Sequence, residues 1–161
     1  MIYEMVGIAP SDFAKNDASA PALTTAQQAP QAPMTSAISG SAASIRKSAD
    51  GHFWTTARVN SSTVKFLVDT GASVVALTPS DARRAGFRPG DLTYSSPVNT
   101  AGGQVMGAAV KLDFVSVSNV RVRNVRALVI PEGLEQSLLG MSYLGELQKV
   151  EASRDTLILR Q

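Results

Sequence analysis

Phe66-Leu67-Val68-Asp69-Thr70-Gly71-Ala72-Ser73-Val74-Val75 is the stretch on which the reading of this chain turns. It places a carboxylate at the end of an apolar strand, on a turn that needs a glycine, with a second apolar strand leaving it. An ionised carboxylate beside a buried strand is costly unless hydrogen bonds or charges stabilise it. Thr70 and Ser73 offer hydroxyls, and Gly71 lets backbone N–H groups approach without a Cβ in the way. Asp-Thr-Gly alone is a common turn, since Asp and Gly are both turn residues. The apolar frame on both sides sets this one apart, and Asp69 reads as a carboxylate held for chemistry.

Outward from that turn the pattern is one of short strands. Residues 53–59 and 64–68 read as a hairpin around the polar Asn60-Ser61-Ser62 turn. Residues 74–77 form a third strand. A short helix follows, with Thr78 as N-cap, Pro79 at its first position, Asp81 in its first turn and Gly86 as its stop. Residues 93–98 and 105–112 flank Asn99-Thr100-Ala101-Gly102-Gly103-Gln104, a hairpin with a mobile, glycine-containing tip. Residues 115–122 alternate as one strand and 125–130 read as a buried one. Pro131-Glu132-Gly133 punctuates, Leu138-Leu139-Gly140 begins a tight apolar segment, residues 141–147 form a short helix, and 157–159 close as a last strand. The sum is an all-β domain with two small helices over residues 48–161.

Residues 17–44 are rich in Ala, Pro, Gln, Ser and Thr and nearly free of charge. Such a composition buries too little surface to offset chain entropy, so residues 1–47 read as a flexible N-terminal segment and linker. No stretch reaches the apolar length that spans a bilayer. Residues 1–8 lack the basic n-region of a secretory signal. The protein is therefore expected to be cytosolic, or to have lost a targeting segment.

The 161 residues carry a net charge of +2. Arg121, Arg123 and Arg126 alternate with Val120, Val122 and Val125, a solvated strand face with no aromatic stacking platform, so nucleic acid is not an expected partner. The absence of cysteine excludes disulfides, thiolate catalysis and cysteine metal sites. His52 is the only histidine, which removes paired-histidine metal motifs and argues against a serine–histidine triad. No cofactor or metal is expected, and His52 has a structural role at a strand start.

Taken together, Asp50-Gly51-His52-Phe53, Phe66-Leu67-Val68-Asp69-Thr70-Gly71-Ala72-Ser73, Asp81-Ala82-Arg83-Arg84 and Ser137-Leu138-Leu139-Gly140-Met141-Ser142-Tyr143-Leu144 make the domain similar to the retropepsin-like aspartic proteases. More closely, it resembles their bacterial branch, in which an anchor and linker precede the catalytic domain. The resemblance implies a small closed β-barrel with a flap hairpin. It makes Asp69 the catalytic residue, Thr70, Gly71, Ala72 and Ser73 the active-site loop, and Asn99, Thr100, Ala101, Gly102, Gly103 and Gln104 the substrate-binding flap. Leu138, Leu139 and Gly140 become the apolar support behind the aspartate turn. The flap tip departs from the family pattern, with Ala101-Gly102-Gly103 where Ala-Asn-Gly is usual. The branch also implies a periplasmic protein, tethered to the inner membrane through a segment absent here, with a cytoplasmic location as the alternative.

Peptide hydrolysis by aspartates needs two carboxylates that share one proton, one activating water and the other engaging the carbonyl oxygen. Like charges so close cannot both ionise, and the pair titrates as a unit. No second Asp-Thr/Ser-Gly exists in this sequence: Asp81, Asp91 and Asp113 lack the following pair, and Asp155-Thr156 precedes Leu157. The expected solution is a homodimer with Asp69 of each subunit meeting on the two-fold axis and a protein or peptide substrate between them. The alternative is a silent or latent module of the same fold that binds peptides or dimerises.

Overall fold

The computed structural model describes residues 40–161. The barrel starts with a hairpin of strands β2 (Trp54–Val59) and β3 (Ser62–Val68), paired antiparallel from Val59↔Ser62 to Trp54↔Leu67. Alternation sends Ala57, Val59, Val64 and Phe66 inward while Thr56, Arg58, Thr63 and Lys65 stay exposed. Asn60 makes the turn at φ +51°. Its side chain ties the hairpin to two neighbours, donating to the Ala85 carbonyl at 3.0 Å and accepting from the Asp113 N–H at 2.9 Å.

The chain then enters β4 (Val75–Leu77) and helix α1 (Pro79–Arg84). As the sequence predicts, Thr78 caps this helix, its hydroxyl accepting from the Asp81 N–H, and Gly86 follows the helix end at φ +97°. Strands β5 (Tyr94–Thr100) and β6 (Gly103–Val117) form a long hairpin, and β7 (Val120–Val129) runs back along β6. Next come β8 (Ser137–Leu139) and helix α2 (Met141–Leu144). The barrel order is β2-β3-β8-β4-β7-β6, closed where β6 returns to β2 through Arg58↔Ser116 and Val59↔Val115. Closure leaves no free edge around the core. Among the described residues strand β5 pairs only with β6, so that hairpin projects from the barrel wall.

A smaller sheet joins β1 (Ala42–Arg46), β10 (Thr156–Arg160) and β9 (Lys149–Ala152), in the order β1-β10-β9. Ala43, Ile45, Leu157 and Leu159 are buried with the barrel core, so this sheet packs as part of the domain. Here the structure corrects the sequence reading. Ala42–Arg46, expected to lie in the flexible segment reaching residue 47, is instead a strand paired along its whole length with β10. Its inward residues are only Ala43 and Ile45, too weak an alternation to read as a strand without its partner. The remainder of that segment, residues 1–39, lies outside the described residues.

Two more boundaries differ. Residues 115–122 are not one strand, since Ser118 turns the chain at φ +50° and Val117 pairs with Val120 across the turn. Strand β7 also continues through Asn124, at φ +56°, where the sequence suggested a break. Strand β9 went unread in the sequence, and α2 stops at Leu144 before Gly145 rather than reaching residue 147.

Candidate active site

Asp69 leaves the end of β3 with its backbone already committed. Its N–H donates to the Leu139 carbonyl at 3.2 Å, and its own carbonyl accepts from the Ala72 N–H at 3.3 Å. The carboxylate Oδ1 accepts the Gly71 N–H at 2.8 Å. Gly71 suits this position because a Cβ there would stand 3.1 Å from that oxygen. Thus the turn holds one carboxylate oxygen against its own backbone, and Asp69 remains half-buried at the surface of the barrel.

The turn rests on the β8–α2 corner. Strand β8 slots between β3 and β4, parallel to β3 (Val68↔Leu139) and antiparallel to β4 (Ala76↔Leu138). Leu139 is fully buried. At Gly140 a Cβ would fall 2.2 Å from the Val74 carbonyl oxygen and 2.7 Å from that of Ala72, so the aspartate loop lies directly on its backbone. One residue on, the Met141 N–H donates to the Ala72 carbonyl at 2.8 Å. Ser142 completes the junction: its hydroxyl accepts from the Val75 N–H at 2.9 Å and donates to the Arg126 carbonyl at 2.6 Å. Three elements, α2, β4 and β7, thereby meet at one hydroxyl.

A groove of about 590 Å³ opens over this turn. Its floor is Asp69 with residues 71–74 and Ala76, one wall is the β5 side of the projecting hairpin at residues 97–101, and the other wall includes Leu128, Ile130, Gly133, Leu134 and Leu138. Asp69 is the only charged side chain lining it among the described residues. The arrangement therefore supplies a single carboxylate, in a groove otherwise lined by apolar and uncharged polar groups.

The residues singled out from the sequence separate in space. Asp69, Gly71, Ala72 and Ser73 line the groove with Asn99, Thr100 and Ala101. Thr70 is exposed, and its hydroxyl makes no hydrogen bond among the described residues. Gly102 borders a neighbouring recess, while Gly103 and Gln104 belong to β6 and line neither. The loop proper is only Ala101-Gly102, because Thr100 pairs with Gly103 and its hydroxyl donates to the Gly103 carbonyl at 2.8 Å. Leu138 faces the groove, whereas Leu139 and Gly140 lie beneath the turn.

Some residues of the site carried no assignment in the sequence reading. Ser142 is one. Asp81 and Ser137 are others: the Ser137 hydroxyl donates to Asp81 Oδ2 at 2.6 Å, and the Thr78 N–H donates to the Ser137 Oγ at 3.1 Å, linking α1 to β8. The signal was present in part, since a serine on each side of Leu138-Leu139-Gly140 marks where polar ties enter an apolar segment. Tyr143 is fully buried and its hydroxyl donates to the Val120 carbonyl at 2.9 Å. Burial pushes its hydroxyl pKa up to about 12. Among the described residues no group of three or more His, Cys, Asp and Glu side chains is placed to hold a metal ion.

A family model described as "gag-polyprotein putative aspartyl protease" matches residues 55–146, a span that takes in the barrel strands from the second residue of β2 onward and the aspartate turn. The chain belongs to the retropepsin-like aspartic protease family. Among solved structures, a retropepsin-like aspartic protease from Rickettsia conorii aligns with a TM-score of 0.69 at 37% identity, covering 75% of this chain and 91% of that one. The retropepsin-like fold expected from the sequence is thus the fold observed. An uncharacterized protein from Sinorhizobium sp is 43% identical over 117 residues, 72% of this chain and 50% of its own length. A second, from Rickettsia prowazekii, is 41% identical over 115 residues, 71% of this chain and 49% of its own length. This retropepsin-like chain spans about half the length of the curated relatives it matches.

Proposed function

We propose that this chain is an aspartic endopeptidase, active as a homodimer in which Asp69 from each subunit forms a carboxylate dyad. The observation that carries the proposal is the lone Asp69 carboxylate, held on a braced turn in the floor of a groove walled by a projecting hairpin. One carboxylate is half of the chemistry, and a symmetric partner supplies the other half. In that pair one carboxylate takes a proton from water while the other donates to the carbonyl oxygen of the scissile peptide.

An extended substrate fits this groove, because the β5–β6 hairpin offers strand-like backbone along one wall. The two-residue tip would move to admit and cover it. The exposed Thr70 hydroxyl sits beside the aspartate turn, where the second copy would stand. By resemblance to the bacterial branch, the enzyme faces the periplasm from a membrane tether; no helix among the described residues is long and apolar enough to cross a membrane.

The test is cleavage of a diverse peptide mixture by wild-type and Asp69→Asn protein from acid to neutral pH, read by mass spectrometry. Cuts made by the wild type alone support the assignment, and activity persisting in Asp69→Asn ends it. Sedimentation with and without a peptide inhibitor addresses the dyad, since a protein that cleaves only as a monomer has no such pair. Absence of cuts from a dimeric wild type would favour the latent or silent module.

A further inference from the structure

The segment between β7 and β8, residues 131–136, is held at both ends by one corner of the fold. Before it, the Ile130 N–H donates to the Leu77 carbonyl at 3.0 Å. After it, Ser137 is tied to Asp81 and to the Thr78 N–H. Midway, Gly133 adopts φ +76°, and a Cβ there would lie 3.3 Å from the Thr100 Oγ1 of the flap. The segment therefore passes close to the flap at a fixed height.

It also separates three spaces. Leu134 borders the Asp69 groove, a recess of about 620 Å³ beyond the flap tip, and a recess of about 480 Å³ on the outer side of the barrel. Glu135 and Gln136 border both of the outer recesses. The segment carries two carboxylates, Glu132 and Glu135, and of these Glu135 is the one that borders the recesses. Glu135 is exposed and forms no ion pair or side-chain hydrogen bond among the described residues. The outermost recess also holds Lys65, whose Nζ stands 4.7 Å over the Trp54 ring, and Asp81, which binds Ser137, Thr78 and Arg84.

We infer that Glu135 is a specificity determinant: a chain leaving the Asp69 groove crosses the crest at residues 134–136, and Glu135 selects a basic side chain there. This rests on the peptide-binding reading of the groove. The apolar lining near Asp69 accepts uncharged side chains at the centre, and Glu135 offers a carboxylate on both recesses that share Leu134 with the groove. An exposed pair of this kind discriminates modestly and is weakened by salt.

The experiment uses peptides with one apolar central sequence and Lys, Gln or Glu placed in turn at each flanking position. Competitive cleavage is measured with wild type, Glu135→Gln and Glu135→Lys, and binding of the same peptides is measured on each variant combined with Asp69→Asn. At one position the order Lys over Gln over Glu is expected, spanning roughly two- to fivefold at low salt. Glu135→Gln flattens it and Glu135→Lys reverses it. The same ratios in all three proteins overturn the inference. Ordered binding without any cleavage by wild type supports the inference while overturning the endopeptidase assignment, and neither binding nor cleavage overturns both.

Discussion

The aspartate turn and the flap tip are both short glycine-containing loops on the same groove, yet they are held in opposite ways. The turn is bonded to itself through Gly71 and Asp69, and it lies on Gly140 so closely that no Cβ fits between. Around the flap tip there is space: a Cβ on Gly102 would find its nearest neighbour at 3.8 Å, the Thr100 hydroxyl. The hairpin is stabilised by its own ladder, and among the described residues β5 pairs with no strand but β6. A fixed carboxylate beside a movable cover suits chemistry that needs preorganisation on one side and access on the other.

The comparison can be broken most sharply at its rigid end. Asp69→Asn should lower peptide cleavage by on the order of 10⁴-fold while thermal unfolding stays close to wild type. Gly140→Ala should destabilise by about 3 kcal/mol, because the Val74 carbonyl at 2.2 Å must move, and cleavage should fall with it. Denaturant unfolding together with an activity assay reads both effects. An unchanged midpoint would mean that the turn is less tightly supported than its geometry implies.

Beneath the same corner, Tyr143 gives a pH signature. Its folded pKa is about 12 against an ordinary value of 10.0, so the folded state favours the protonated hydroxyl. That stabilisation is fully present below pH 10, and it is lost as pH rises through about 12. Two units correspond to about 3 kcal/mol, and unfolding measured against pH should flatten over that window in Tyr143→Phe. A smaller effect is expected at Ser142→Ala, which removes the partner of the Val75 N–H and the Arg126 carbonyl: about 1–2 kcal/mol by denaturant unfolding. Last comes the flap, where Gly102→Ala should change stability by less than about 0.5 kcal/mol. A loss there as large as at Gly140 would erase the contrast between the two loops.

Much of this was legible before the structure. Short-range rules suffice for the hairpin at Asn60, for the capped helix after Thr78, and for the aspartate turn, since each depends on side chains a few residues apart. Where the reading missed, the deciding contact was distant in sequence. Ala42–Arg46 is a strand because β10 lies beside it more than a hundred residues later. Residues 115–122 looked like one strand because the polar Ser118-Asn119 pair was absorbed into the apolar–polar alternation, whereas the β6–β7 ladder makes it the turn. The flap looked like a six-residue tip because pairing of Thr100 with Gly103 cannot be read from composition.

The site divides in the same way. The expectations that Asp69 is the reactive group, that a glycine must follow it, and that a second carboxylate has to come from a partner all follow from residue identity and counting. Closure of the barrel brings β8 between β3 and β4, sets Ser142 between two strands, and makes Leu134 common to three recesses. Those relations join residues tens of positions apart. A sequence records which side chains are available, whereas which of them share a hydrogen bond or a wall depends on the path of the chain through space.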